Sequence, residues 1–255
     1  MQIPSQALVT QNVDNGAIQR SVRAITASGD GNTGPLRIDR RNEAIVQNLW
    51  NSMHALATEG SLYVAQTATP GTGIVLTSAT GTSFSDTQAI FGVNNTDAAL
   101  DVIPLWLKLV ITAAGTAGTD AHFAGRLDLG AGISGGTATL TGKAADPIYA
   151  NDAVAAIFAG VPTVAAATNS RRYHGRAEGR KAAAPAYIVG DVVTFLFGAV
   201  EAVQAQAITP TTAIGLVLHM PATIIPPGWC WALNEWMSSR SAAQSAECEF
   251  GYVVR

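Results

Sequence analysis

The chain has 255 residues, 48% of them hydrophobic and only 13% charged, with 25 glycines and a formal net charge of −3. That length suits one large β domain, and the charge share is about half that of an ordinary soluble chain. The acidic balance makes no demand for nucleic acid or an anionic membrane, and two cysteines are too few for a disulfide scaffold.

Residues 1–41 hold few large apolar side chains, and Ser28 to Pro35 is a turn-rich stretch of glycine, serine and asparagine. Such a segment cannot bury enough apolar area to fold alone, so it is expected to be an extended N-terminal arm that orders on a neighbour. Met1 to Gln6 lacks the basic-then-apolar order of a secretion signal, and no run supplies the ~20 apolar residues of a membrane helix. Synthesis in the cytosol without export is the resulting expectation.

From Asn42 to about Thr58, Ile45, Leu49, Met53 and Leu56 recur at helical spacing, widened by Val46 and Trp50. Gly60 stands where a left-handed residue ends a helix. Thereafter the pattern is that of strands. Ser61–Thr67, Gly73–Thr77 and Ala89–Val93 are short candidates. In Ile103–Thr112 the residues Leu105, Leu107, Leu109 and Ile111 face opposite to Trp106, Lys108 and Val110. His122–Leu129 alternates likewise, with His122, Arg126 and Asp128 on its polar face. Ala138–Leu140, Val154–Phe158, Val192–Phe197, Ile214–His219, Trp229–Trp236 and Cys248–Val254 complete the set. Many short strands, one helix and no βαβ alternation predict a mainly β fold: an antiparallel β-sandwich or jelly roll spanning residues 42–255 behind the arm.

Groups that would carry catalysis do not converge. His54, His122, His174 and His219 are scattered, without metal-ligand spacing. Neither a nucleophile elbow nor a phosphate-binding loop occurs, and Gly130 to Gly135 reads as a turn, because the residues after it are not helical. Glu235, Glu247 and Glu249 are weighed as a carboxylate cluster and read as a solvated or intersubunit face. The chain is therefore expected to be no enzyme and to need no cofactor or metal.

Other features point toward assembly. A surface so poor in charge is unusual for a free monomer, and part of it is expected to be covered by other subunits. Ile224-Ile225-Pro226-Pro227-Gly228-Trp229 reads as a strand, a tight corner and a second strand. Trp229 and Trp231 fall on one face of that second strand, with Cys230 on the other. This indole face is either core or part of an oligomer contact. Basic residues gather twice: Arg20, Arg23, Arg37, Arg40 and Arg41 in or just after the arm, and Arg171, Arg172, Arg176, Arg180 and Lys181 in a presumed loop, Asn169–Lys181. Docking onto an acidic protein surface is favoured over nucleic acid, given the overall acidity. Cys230 and Cys248, placed on a presumed final hairpin, are expected to be free buried thiols.

Glu59-Gly60-Ser61-Leu62-Tyr63-Val64-Ala65, the Ala/Gly/Thr-rich strands that follow, the late Ile-Pro-Pro-Gly corner and the terminal Glu247-Cys248-Glu249-Phe250-Gly251-Tyr252 together resemble virion structural proteins of tailed bacteriophages. The likeness runs from about Arg37 to Arg255 and is greatest to single jelly-roll proteins that decorate or cement the capsid. It implies a homo-oligomer, often a trimer, bound to a major capsid protein in the virion. Two alternatives stand beside it: the base of a head fibre or spike, and a carbohydrate-binding β-sandwich module using an exposed aromatic such as Trp106 or Tyr173.

Overall fold

The computed structural model describes residues 52–67, 69–77, 83–115, 120–130, 132–165, 172–180, 187–198, 215–237 and 242–255. Most of the predicted helix, and the arm with Arg20, Arg23, Arg37, Arg40 and Arg41, lie outside these residues. The helix appears as its last turns, α1 (Ser52–Thr58). It ends as the sequence predicts. Gly60 sits at φ 75°, its N–H reaches the Ala57 carbonyl at 3.0 Å, and Ser61 N–H reaches Leu56 at 3.1 Å. These two bonds form the paired closure of a Schellman motif.

The strands are β1 (Leu62–Gln66), β2 (Ile74–Thr77), β3 (Phe91–Asn95), β4 (Val102–Ala114), β5 (Asp120–Leu129), β6 (Ile133–Ser134), β7 (Ala138–Leu140), β8 (Lys143–Ala144), β9 (Ala155–Ala159), β10 (Thr163–Val164), β11 (Arg172–Arg180), β12 (Val192–Phe197), β13 (Gly215–Met220), β14 (Trp229–Trp236) and β15 (Gln244–Val254). Eight of them pair first with last: β1 with β15, β3 with β14, β4 with β12 and β5 with β11, every pair antiparallel. A ribbon paired in this nested way and rolled into two layers gives one sheet ordered β1-β15-β4-β12 and another ordered β3-β14-β5-β11. This is the strand order of a jelly roll. Of the remaining strands, β8, β13, β9 and β7 extend the edges, β2 pairs with β15, and β6 and β10 form a separate ribbon. One of them, β13, joins β12 in parallel, which the strand pattern did not foretell.

Inward residues of both sheets meet in one core. Phe91 packs on Phe250 with ring centroids 5.0 Å apart, Phe123 on Phe195 at 4.9 Å and Phe197 on Trp231 at 5.2 Å. On β4 the inward set is Val102, Pro104, Leu107, Leu109 and Ile111. Leu105 departs from its predicted place because the register against β15 slips between Gly251 and Tyr252. Such a bulge reverses the alternation beyond it.

Part of the outer face of the second sheet is covered as well. Ile133 and Val164, on the small β6–β10 ribbon, cover Cys230 and Ala232 in a second apolar cluster. Beside it Arg126, placed by sequence on a polar face, is fully buried. Its Nε donates to Asn234 Oδ1 at 3.0 Å and its Nη1 to the Asp86 carbonyl, so it holds the 83–90 loop against the sheet.

Two expectations are corrected here. The presumed loop Asn169–Lys181 contains β11, whose glycines and charges hid a strand made by pairing with β5; a register shift falls between Tyr173 and Arg176, at Gly175 with φ 74°. The presumed final hairpin does not exist. β14 pairs with β3 and β5, while β15 pairs with β4, β1 and β2, so Cys230 and Cys248 belong to opposite sheets. Neither cysteine is in a disulfide, and both are buried. Burial alone pushes the Cys248 thiol up to about 12.

Candidate assembly surface

The strand registers place a group of uncovered apolar side chains at one end of the sandwich. There β5 finishes at Leu129, β14 begins at Trp229 and β15 finishes beside the start of β1. The exposed residues at this end are Leu100, Leu129, Ile148, Tyr149 and Ile224. They make up five of the nine large hydrophobics that are exposed among the described residues. α1 lies at the same end, directly ahead of β1.

Local chemistry fixes the segments that carry these side chains. The Asp97 carboxylate accepts from Ala99 N–H at 2.7 Å and Leu100 N–H at 3.0 Å, and those donors hold Asp97 below its ordinary pKa. The turn they form presents Leu100. Asp146 acts in the same way for Ile148, whose N–H reaches Oδ1 at 3.1 Å. Tyr149 lies with its ring against Gly60, where a Cβ would come within 2.7 Å of the ring, and its hydroxyl donates to the Thr58 carbonyl at 2.9 Å. The predicted Pro-Pro-Gly corner is a type II turn: Trp229 N–H bonds the Pro226 carbonyl at 3.0 Å and Gly228 has φ 72°. Asn95 ties the end together, its Nδ2 donating to the carbonyls of Leu100 at 2.7 Å and Ile225 at 2.8 Å.

The predicted assembly residues divide. Trp231 is core, completely buried, and is not available to a partner. Trp229 is half-buried at the rim, with the guanidinium of the exposed Arg172 5.3 Å above its ring centroid, a cation–π arrangement. Arg176 and Arg180 lie on β11, paired with Ala124 and Asp120. Arg171 and Lys181 fall outside the described residues. The sequence reading missed Leu100, Leu129, Ile148, Tyr149 and Ile224. The available signal was a lone large apolar residue inside an Asp- or Pro-led turn, as in Asp97-Ala98-Ala99-Leu100 and Asp146-Pro147-Ile148-Tyr149.

The groups weighed for chemistry are dispersed. Glu247 and Glu249 share the outer face of the first sheet, where Glu249 pairs with Lys108 at 3.3 Å and Glu247 accepts from Gly71 N–H. Glu235 belongs to the opposite sheet. His122 stacks on Trp236 at 5.4 Å, His219 sits on β13 beside Leu196, and His54 is exposed on α1. Among the described residues no three His, Cys, Asp or Glu side chains gather as metal ligands, and no helix is long and apolar enough to cross a membrane. No family model, curated protein or solved structure matches the chain.

Proposed function

We propose that this protein is a capsid-associated structural protein of a tailed-bacteriophage virion, a decoration or cement subunit that acts as a homo-oligomer through the apolar end of its jelly roll. The observation that carries this reading is the gathering of Leu100, Leu129, Ile148, Tyr149 and Ile224 at one end. A concentration of exposed apolar side chains supports a protein–protein contact there. Trp229 under Arg172 adds the aromatic and arginine pair typical of strong contact points. The low charge of the chain and the jelly-roll order support the same reading. A trimer bound to the major capsid protein is the arrangement the phage resemblance implies.

The mechanism is mechanical. Area buried between copies, and between copies and shell, adds to the free energy needed to separate shell subunits. The arm, with its five arginines, supplies a second, electrostatic contact to an acidic shell surface.

Particles assembled without this protein and then mixed with it provide the test. The proposal expects saturable binding, a fixed number of copies per particle, and release of the packaged contents at a higher temperature. Failure of the protein to sediment with the particles at any concentration would overturn it.

A further inference from the structure

The outer face of the first sheet carries a different kind of surface. Trp106 on β4 stands opposite Gly251 of β15 and Leu196 of β12, on the side away from the core residues Leu107 and Phe250. A Cβ built on Gly251 would fall against the indole atoms Cε2, Cζ2 and Cη2. The ring therefore lies across the glycine backbone, in a space that any side chain at 251 would fill. Its Nε1 donates to Glu249 Oε1 at 3.2 Å, and the same oxygen pairs with Lys108 Nζ at 3.3 Å. These bonds pin the indole edge.

One step along the strands, about 6.8 Å away, the next outward row reads Thr194, Lys108, Glu249, Gln66 across four strands. Beside it is a recess of ≈ 170 Å³, lined by Gln66, Thr67, Pro70, Lys108, Glu247 and Glu249, among others. The 69–73 loop walls it, held by the Gly71 N–H bond to Glu247 and by the approach of Gly73 to Thr112. Gln66 and Thr67 continue into a cavity of ≈ 490 Å³ with Thr139, Thr141 and Lys143.

We propose that this face is a carbohydrate-binding site for a neutral oligosaccharide. A pyranose ring lays its C–H face on the Trp106 indole, whose π face is electronegative. Its hydroxyls then bond the Glu249 carboxylate, the Lys108 ammonium and the Gln66 amide, and the next sugar extends into the recess. Lys108 is paired with Glu249, and Glu247 adds a further negative charge to the recess, which favours an uncharged sugar over an acidic one. The same pair argues against a second protein here, because lysine and glutamate are depleted from the centres of protein interfaces. One aromatic platform with a few convergent polar groups is the make-up of a small-ligand site.

Calorimetric titration of the full chain with cellohexaose, laminarihexaose, mannohexaose and N-acetylchitohexaose tests this. The expected result is saturable heat with at least one of them. Trp106→Ala should weaken that binding at least about tenfold, Trp106→Tyr should restore part of it, and Glu249→Gln should weaken it with the fold intact by circular dichroism. Gly251→Ala, which lifts the indole, should weaken it as well. No heat with any of the four sugars, or unchanged binding by Trp106→Ala, would overturn the proposal. Neither outcome bears on particle binding, which is measured separately.

Discussion

Trp229 and Trp231 stand two residues apart on one face of β14, yet Trp231 is sealed in the core against Phe197 while Trp229 reaches the rim under Arg172. The division follows from their place on the strand. Trp231 pairs across to Leu127 and Val93 in mid-sheet, whereas Trp229 pairs with Leu129, the last residue of β5.

Replacing Trp231 by alanine should therefore cost about 3–5 kcal/mol of folding stability, the range for emptying a large core site. Trp229→Ala should cost markedly less and should instead weaken self-association. Urea midpoints together with molar mass in solution separate the two effects.

Tyr252 supplies a second measurable tie. Its hydroxyl donates to Asp152 Oδ2 at 2.6 Å, and Asp152 also accepts from the N–H groups of Val154 and Ala155 at 2.8 and 3.0 Å. One side chain thus joins β15 to the start of β9. Tyr252→Phe keeps the stacking on Phe250 and removes a hydrogen bond to a charged group, so a loss of about 1.5–3 kcal/mol is expected in chemical denaturation.

Alkaline pH should destabilise the fold through buried acids that must stay protonated. The Cys248 thiol is raised from 9.0 to about 12 by burial, and Tyr252 is raised by burial and by its bond to Asp152. A raised folded pKa means that the native state holds its proton longer. The associated stability is complete below pH 9 and declines as pH rises toward 12, by up to about 4 kcal/mol for Cys248 at 1.36 kcal/mol per unit. Unfolding curves for the parent and Cys248→Ala should converge across that window. Thiol titration should find Cys230 and Cys248 slow to react when native and both reactive after denaturation without reductant.

The sandwich described here is built from residues 62–254, so deletion of residues 1–35 should leave its thermal transition in place while weakening attachment to particles. Loss of the cooperative transition in the truncated chain would move the arm boundary.

Strand positions were legible in the sequence wherever alternation was strong, as at Ile103–Thr112 and Trp229–Trp236. Strands made by tertiary pairing were not: β11 is rich in glycine and charge, and β6, β8 and β10 are two residues long. Short elements of this kind owe their shape to neighbours and not to propensity. The hairpin assumption for β14 and β15 failed for a related reason. Adjacent strands in a jelly roll cross between layers, and sequence nearness then misleads. Arg126 looked solvated because its strand alternates, and only the 83–90 loop packed over it shows otherwise. The apolar end was invisible because its members come from four segments far apart in the chain.

Light scattering on the purified full chain at micromolar concentration tests the central claim most directly. The account predicts a defined oligomer, and a shift toward monomer in Leu129→Ser/Ile224→Ser at unchanged circular dichroism. A monomeric mass for the unaltered chain, or an oligomer indifferent to both substitutions, would contradict assembly through this end.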